Sequence, residues 1–71
     1  MDYHAIVELL TWASARQHPV IIVTDAGDRI AAVPVDVDPG RDAFEVWIRP
    51  AESPEAEVSL SLGRIVSVEL A

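Results

Sequence analysis

Five β-branched residues, Val20-Ile21-Ile22-Val23-Thr24, run into Asp25-Ala26-Gly27-Asp28 and then into a second apolar stretch, Arg29 to Val37. So short a run of such side chains favours a strand buried on both faces over a helix of equal hydrophobicity. Gly27 can take the positive φ that a three-residue hairpin loop with a glycine bulge demands, and Asp25 is placed to bond its own downstream backbone. The spacing predicts an antiparallel hairpin from Val20 to Val37 that the remaining residues must cover. In its returning strand Ala31, Val33, Val35 and Val37 share one face, with Pro34 and Asp36 on the other. Pro34 has no N–H for a ladder, so it marks a bulge or an edge position.

Ahead of the hairpin, Asp2 suits an N-cap, because its carboxylate can accept from the free amides of a first turn and faces the positive end of the helix dipole. A helix follows to about Gln17. At 100° per residue Tyr3, Ile6, Leu9, Leu10 and Ala13 form one stripe, while His4, Glu8, Thr11 and Ala15 fall opposite. Trp12 lies beside the stripe, either at the edge of the core or as a surface aromatic. Pro19 disfavours helical geometry at His18 and ends the helix there.

Beyond the hairpin, Asp38-Pro39-Gly40-Arg41-Asp42 reads as a turn. Ala43 to Arg49 alternates cleanly, with Phe44, Val46 and Ile48 expected inside and Glu45, Trp47 and Arg49 outside. Pro50 to Glu55 is a polar loop, Ala56 to Leu62 resumes alternation through Val58, Leu60 and Leu62, and Leu62-Gly63-Arg64 interrupts it. Ile65 to Leu70 closes the series, Val66, Val68 and Leu70 opposing Ser67 and Glu69. A mainly β chain with one N-terminal helix and five short strands suits a small five-stranded SH3/Sm-like barrel, with the helix plugging one end and closure removing exposed sheet edges. The expected organisation is a single domain over 1–71, with the helix at 2–17 and the barrel at 20–70.

The chain has 71 residues, about half of them apolar, and no cysteine. A core filled by Val, Ile, Leu and Ala needs neither metal nor disulfide, and the lack of cysteine excludes thiolate catalysis and cysteine-bound zinc. No apolar run nears the ~20 residues that span a bilayer, and Met1-Asp2-Tyr3-His4 lacks the basic start of a signal peptide. A cytoplasmic location with no membrane contact is the expectation. Twelve acidic residues face five basic ones, all arginine, for a net charge of −7. Such a field repels nucleic acid and leaves two roles for the charge, solubility or attraction of a basic protein surface.

No constellation for catalysis emerges, so enzyme activity is not expected, nor is a cofactor. His4 and His18 are separated by 14 positions along one helix, roughly 20 Å at 1.5 Å per residue, too far to share a metal. Asp36, Asp38 and Asp42 flank a Pro-Gly turn but lack the spacing and closing glutamate of a calcium loop, so a solvated turn is expected and no metal site. Trp47 draws more attention. Its indole is expected on the outer face of its strand beside Glu45 and Arg49, and with Asp36 and Asp38 these are the candidate partner-binding residues. Exposed Trp and Arg are enriched in interface hot spots, whereas a covering helix or Pro50–Pro54 loop would make the ring structural.

Two family resemblances enter here. His18-Pro19-Val20-Ile21-Ile22-Val23-Thr24-Asp25-Ala26-Gly27 is similar to the opening strand and Gly turn of WYL domains, small Sm-like regulatory barrels. Arg29 followed by Pro34, and Leu62-Gly63-Arg64-Ile65-Val66-Ser67-Val68-Glu69, resemble that family's Arg-to-Pro segment and closing run. Phe44-Glu45-Val46 stands in place of the naming Trp-Tyr-Leu triplet, Gly63 in place of an Asp, and Val58-Ser59-Leu60-Ser61 in place of the Arg-Phe-Arg lead-in. The resemblance implies nucleotide or single-stranded nucleic-acid binding, carried here by Arg29 and Arg64. Size, acidity, the order of helix and strands, and Leu62 to Ser67 also resemble the Rof family of Sm-like proteins that bind the terminator Rho. Three functions follow as expectations: a non-enzymatic regulatory or interaction module, possible in transcription regulation, that meets a basic protein partner; a WYL-like nucleic-acid binder; or a structural homo-oligomer joined by sheet edges.

Overall fold

A computed structural model describes residues 1–40 and 44–71. The turn expected at Asp38–Asp42 therefore falls partly outside the described residues, as do the strand start expected at Ala43 and the third carboxylate, Asp42. The chain is mainly β, with α1 (Tyr3–Arg16), β1 (Val20–Thr24), β2 (Arg29–Asp38), β3 (Glu45–Pro50), β4 (Val58–Ser61) and β5 (Ile65–Leu70) in sequence order. The five strands form one antiparallel sheet in the order β4-β3-β2-β1-β5, and a single 3-10 turn, Leu62–Arg64, joins the two outermost strands.

Both ends of α1 follow from local chemistry. The Ala5 amide donates to Asp2 Oδ1 at 2.8 Å, satisfying one of the first-turn donors. At the other end Gln17 adopts a left-handed φ of 51°, which lets its own N–H reach Ser14 O and the His18 N–H reach Ala13 O. That is the usual way a chain leaves a helix, here without the glycine that favours it. Ile6, Leu10 and Ala13 are buried against β2 and β5, Leu9 is half-buried, and the opposite face of His4, Glu8, Thr11 and Ala15 is exposed. Tyr3, expected in the stripe, sits one turn too early to reach the core and stacks on Phe44 at 5.3 Å instead.

The hairpin forms as its residues dictate, with one exchange of roles. Gly27 has φ of 88° and donates to Thr24 O, and the loop is closed by Thr24 N–H on Asp28 O at 3.0 Å. Thr24 Oγ1, not Asp25, accepts the downstream amide, that of Asp28. Thr24 is buried and faces this turn, whereas the Asp25 carboxylate lies outside against Arg64.

Three strand faces differ from the simple alternation. In β2 the buried residues are Ala32 and Pro34, and of Ala31, Val33, Val35 and Val37, expected on one shared face, Val37 alone packs on the core. The cause is a bulge: Pro34 pairs with Ile48, but Asp36 pairs with Trp47 and Val37 with Val46, so one extra residue reverses the phase. Pro34 itself is fully buried in an interior strand. Its nitrogen points away from β3, on the side where β1 has already ended with Val20 opposite Ala32, so no ladder bond is lost.

Phe44 is the second difference. It precedes β3 with φ of 48°, and this left-handed step turns its ring away from Val46 and Ile48 and out to Tyr3. The third lies in β5, where Val23 pairs with Ser67 but Thr24 with Ile65, leaving Val66 as a bulged residue. Ile65 and Val68 point inward in consequence, while Val66 and Leu70 are exposed. The resulting core joins Ile6, Leu10 and Ala13 to Val20, Ile22, Val46, Ile48, Leu62, Ile65 and Val68. Full burial of each Leu, Ile or Val contributes about 1.5–3 kcal/mol.

Candidate interaction face

The outer surface of β2, β3 and β4 gathers the residues on which a partner could act. Along β3 the alternation sends Val46 and Ile48 into the core and Glu45, Trp47 and Arg49 outward. The β2 bulge decides what lies beside them. Regular pairing onward from Pro34 and Ile48 would set Val35 opposite Trp47 and Asp36 opposite the buried Val46. With the bulge, Asp36 stands opposite Trp47 and Asp38 opposite Glu45, and Val37 takes the inward place. The extra residue thus removes a carboxylate from the core and sets it beside an exposed indole.

From the other side, Ser59 and Ser61 of β4 face Trp47 and Glu45. Arg49 Nη2 lies 4.0 Å from Glu57 Oε2, a loose pair open to solvent. Asp36 and Asp38 are held by their own backbone, accepting from the amides of Val37 at 3.0 Å and Gly40 at 2.9 Å, which fixes their carboxylates on this face. Among the described residues no arginine lies within ion-pair distance of Asp36, Asp38 or Glu45. The indole of Trp47 remains 36% exposed at the centre of the group.

Arg29 and Arg64 lie elsewhere, near the turn end of the hairpin. Arg29 Nη2 donates to Glu69 Oε1 at 2.7 Å, and Arg64 Nε to Asp25 Oδ1 at 3.4 Å. Each guanidinium therefore faces a carboxylate of its own chain, although both pairs are open to solvent and contribute only about 0–1 kcal/mol each to stability. His18 Nδ1 lies 2.8 Å from Pro19 O, and His4 rests against Tyr3. Among the described residues no three His, Cys, Asp or Glu side chains gather as a metal site, and no helix is long and apolar enough to cross a membrane.

One surface lay outside the sequence-based candidates. Between α1 and β5 an open groove of about 370 Å³ is lined by Met1, Ala5, Glu8, Leu9, Trp12 and Leu70. A signal for it exists, since Ala5, Leu9 and Trp12 follow i, i+4, i+7 spacing and form a second apolar stripe beside the core stripe. What the spacing does not show is that β5 runs alongside. No protein-family model, curated protein or solved structure matches the chain.

Proposed function

We propose that this chain is a non-enzymatic regulatory or protein-interaction module, built as a small SH3/Sm-like barrel, that presents the acidic face around Trp47 to a basic protein partner. The reading is of a partly open barrel, unpaired between β4 and β5, and is supported by the sheet order and by the 3-10 turn that carries the chain from one outermost strand to the other. A single observation carries the functional part: the β2 bulge sets Asp36 beside the exposed Trp47, within a face that also holds Asp38 and Glu45. An indole attracts cations through its π face and offers a large apolar area, and flanking carboxylates raise the local concentration of basic partners.

The deciding experiment captures partners from the host's lysate at low salt and measures the affinity of the principal one at rising ionic strength. Affinity is expected to fall with salt and to drop with Trp47→Ala in a protein that stays folded. Indifference to both salt and Trp47 would end this reading.

A further inference from the structure

The open edge of β5 has the features of a docking site for an extended segment. β5 pairs with β1 through Ser67 and Glu69, and Ala71 N–H reaches Pro19 O in the same phase. The N–H groups of Val68 and Leu70 consequently point away from β1, toward the free side. Val68 N–H finds there the thioether of Met1, 3.4 Å away. Sulfur is a weak acceptor, and the Met1 side chain is more than half exposed, so the contact covers the edge without engaging it strongly. Immediately beside it the groove between α1 and β5 leaves Leu70 48% and Trp12 39% exposed.

We propose that β5 accepts an added strand from a basic partner protein, which displaces Met1 and pairs with Val68 and Leu70. In a strand, successive side chains alternate between the two faces of the sheet. Apolar side chains of the incoming segment then enter the groove between Leu9, Trp12 and Leu70. The intervening ones lie on the outer face next to Glu69, where an arginine or lysine competes with Arg29 for its carboxylate. Glu8 adds a second negative charge at the groove itself. Charge also argues against a second copy as the occupant. Each copy carries a net charge of −7, and its own free edge at β4 brings Glu57 next to Val58.

A test uses the full chain, labelled with nitrogen-15, and a short peptide alternating valine and arginine. Titration should shift the amides of Ser67 to Leu70 and of Ala5 to Trp12, and Val68 amide exchange should slow at least about tenfold. Methylating the backbone nitrogens on the pairing side of the peptide should weaken binding about tenfold, because the hydrogen bonds those nitrogens donate to β5 are lost. Leu70→Asp should do the same, while Trp47→Ala leaves this binding unchanged. The idea fails if the methylated peptide binds equally well, if a valine–glutamate peptide binds as tightly, or if the shifts fall on β4 or around Trp47. It also fails if no binding is seen, or if ultracentrifugation shows the edge already occupied by a second copy.

Discussion

Trp12 and Trp47 are equally exposed, at 39% and 36%, yet they occupy opposite chemical settings. Trp12 stands on a helix with the Arg16 guanidinium 4.4 Å from its ring centroid and His18 at 5.5 Å, and its remaining edge borders an apolar groove. Trp47 stands on a strand between Asp36 and Ser59, with Glu45 and Arg49 on either side along β3. The first indole already has a cation from its own chain and offers only an apolar edge to others. The second has the carboxylates of Asp36 and Glu45 among its neighbours, Arg49 being set near Glu57, and has a π face to offer to an incoming cation. Exposure alone therefore does not say what a surface aromatic binds; its neighbours do.

The strongest way to break this contrast is to remove the support both rings share. Ile48 is 1% exposed and lies under β3 next to Trp47, in the same core as Leu10 beneath α1. Ile48→Ala should cost about 2–5 kcal/mol, a large part of the roughly 4–10 kcal/mol that a domain of this length has in total. Urea unfolding should show a much lower midpoint, and the emission of both tryptophans should move to the red together. An unchanged midpoint would mean that the core does not hold the two sites in common.

Next in size is the separation of the two rings by binding. With the basic partner, Trp47→Ala should weaken affinity by about 2 kcal/mol, roughly thirtyfold, as for a hot-spot aromatic. Trp12→Ala should leave affinity at the Trp47 face within about threefold, since Trp12 lies in the α1–β5 groove and not on that face. Calorimetric titration of both variants against one partner decides it. Equal losses would merge the two surfaces into one.

How far the chain's sequence announces these surfaces depends on where backbone irregularities fall. The helix with its Asp2 cap, the hairpin with Gly27, and the outward Glu45, Trp47 and Arg49 are all readable, because each rests on local chemistry or on an uninterrupted period. Pro34 signals a bulge, but a missing N–H does not tell on which side of it the extra residue falls. The shared face read for Ala31, Val33, Val35 and Val37 therefore breaks beyond Pro34, where Val37 turns inward, and the register that sets Asp36 opposite Trp47 is not readable. Phe44 and Val66 fail for a like reason: a left-handed step and a bulge leave no mark on the pattern of apolar residues. The groove beside Trp12 depends on which strand passes next to α1, a long-range fact that no local period contains.

A smaller effect should touch Trp12 alone. Asp2→Ala removes the acceptor of the Ala5 amide and should cost about 1 kcal/mol of helix and domain stability. Fraying of the first turn loosens Met1, Ala5 and the near wall of the groove, so amide exchange should speed up in α1 and leave β3 unchanged. Equal acceleration around Trp47 would show that the two surfaces are not independent.

The smallest effect probes the neighbours directly, through the sign of the charge each indole feels. In the single-tryptophan proteins made by Trp47→Phe and Trp12→Phe, iodide should quench Trp12 more than Trp47, and caesium should show the reverse order. A unit charge near 4 Å is worth about 1 kcal/mol in water and less with salt, so differences of about twofold are expected. Arg16→Ala then removes the cation over Trp12 at a cost of about 0.5–1 kcal/mol in stability. Iodide quenching of Trp12 should fall toward the value for Trp47, and Asp36→Asn should raise the latter. If neither substitution moves the quenching constants, the carboxylates and the guanidinium do not set the field at these rings, and the chemical distinction between the two surfaces collapses.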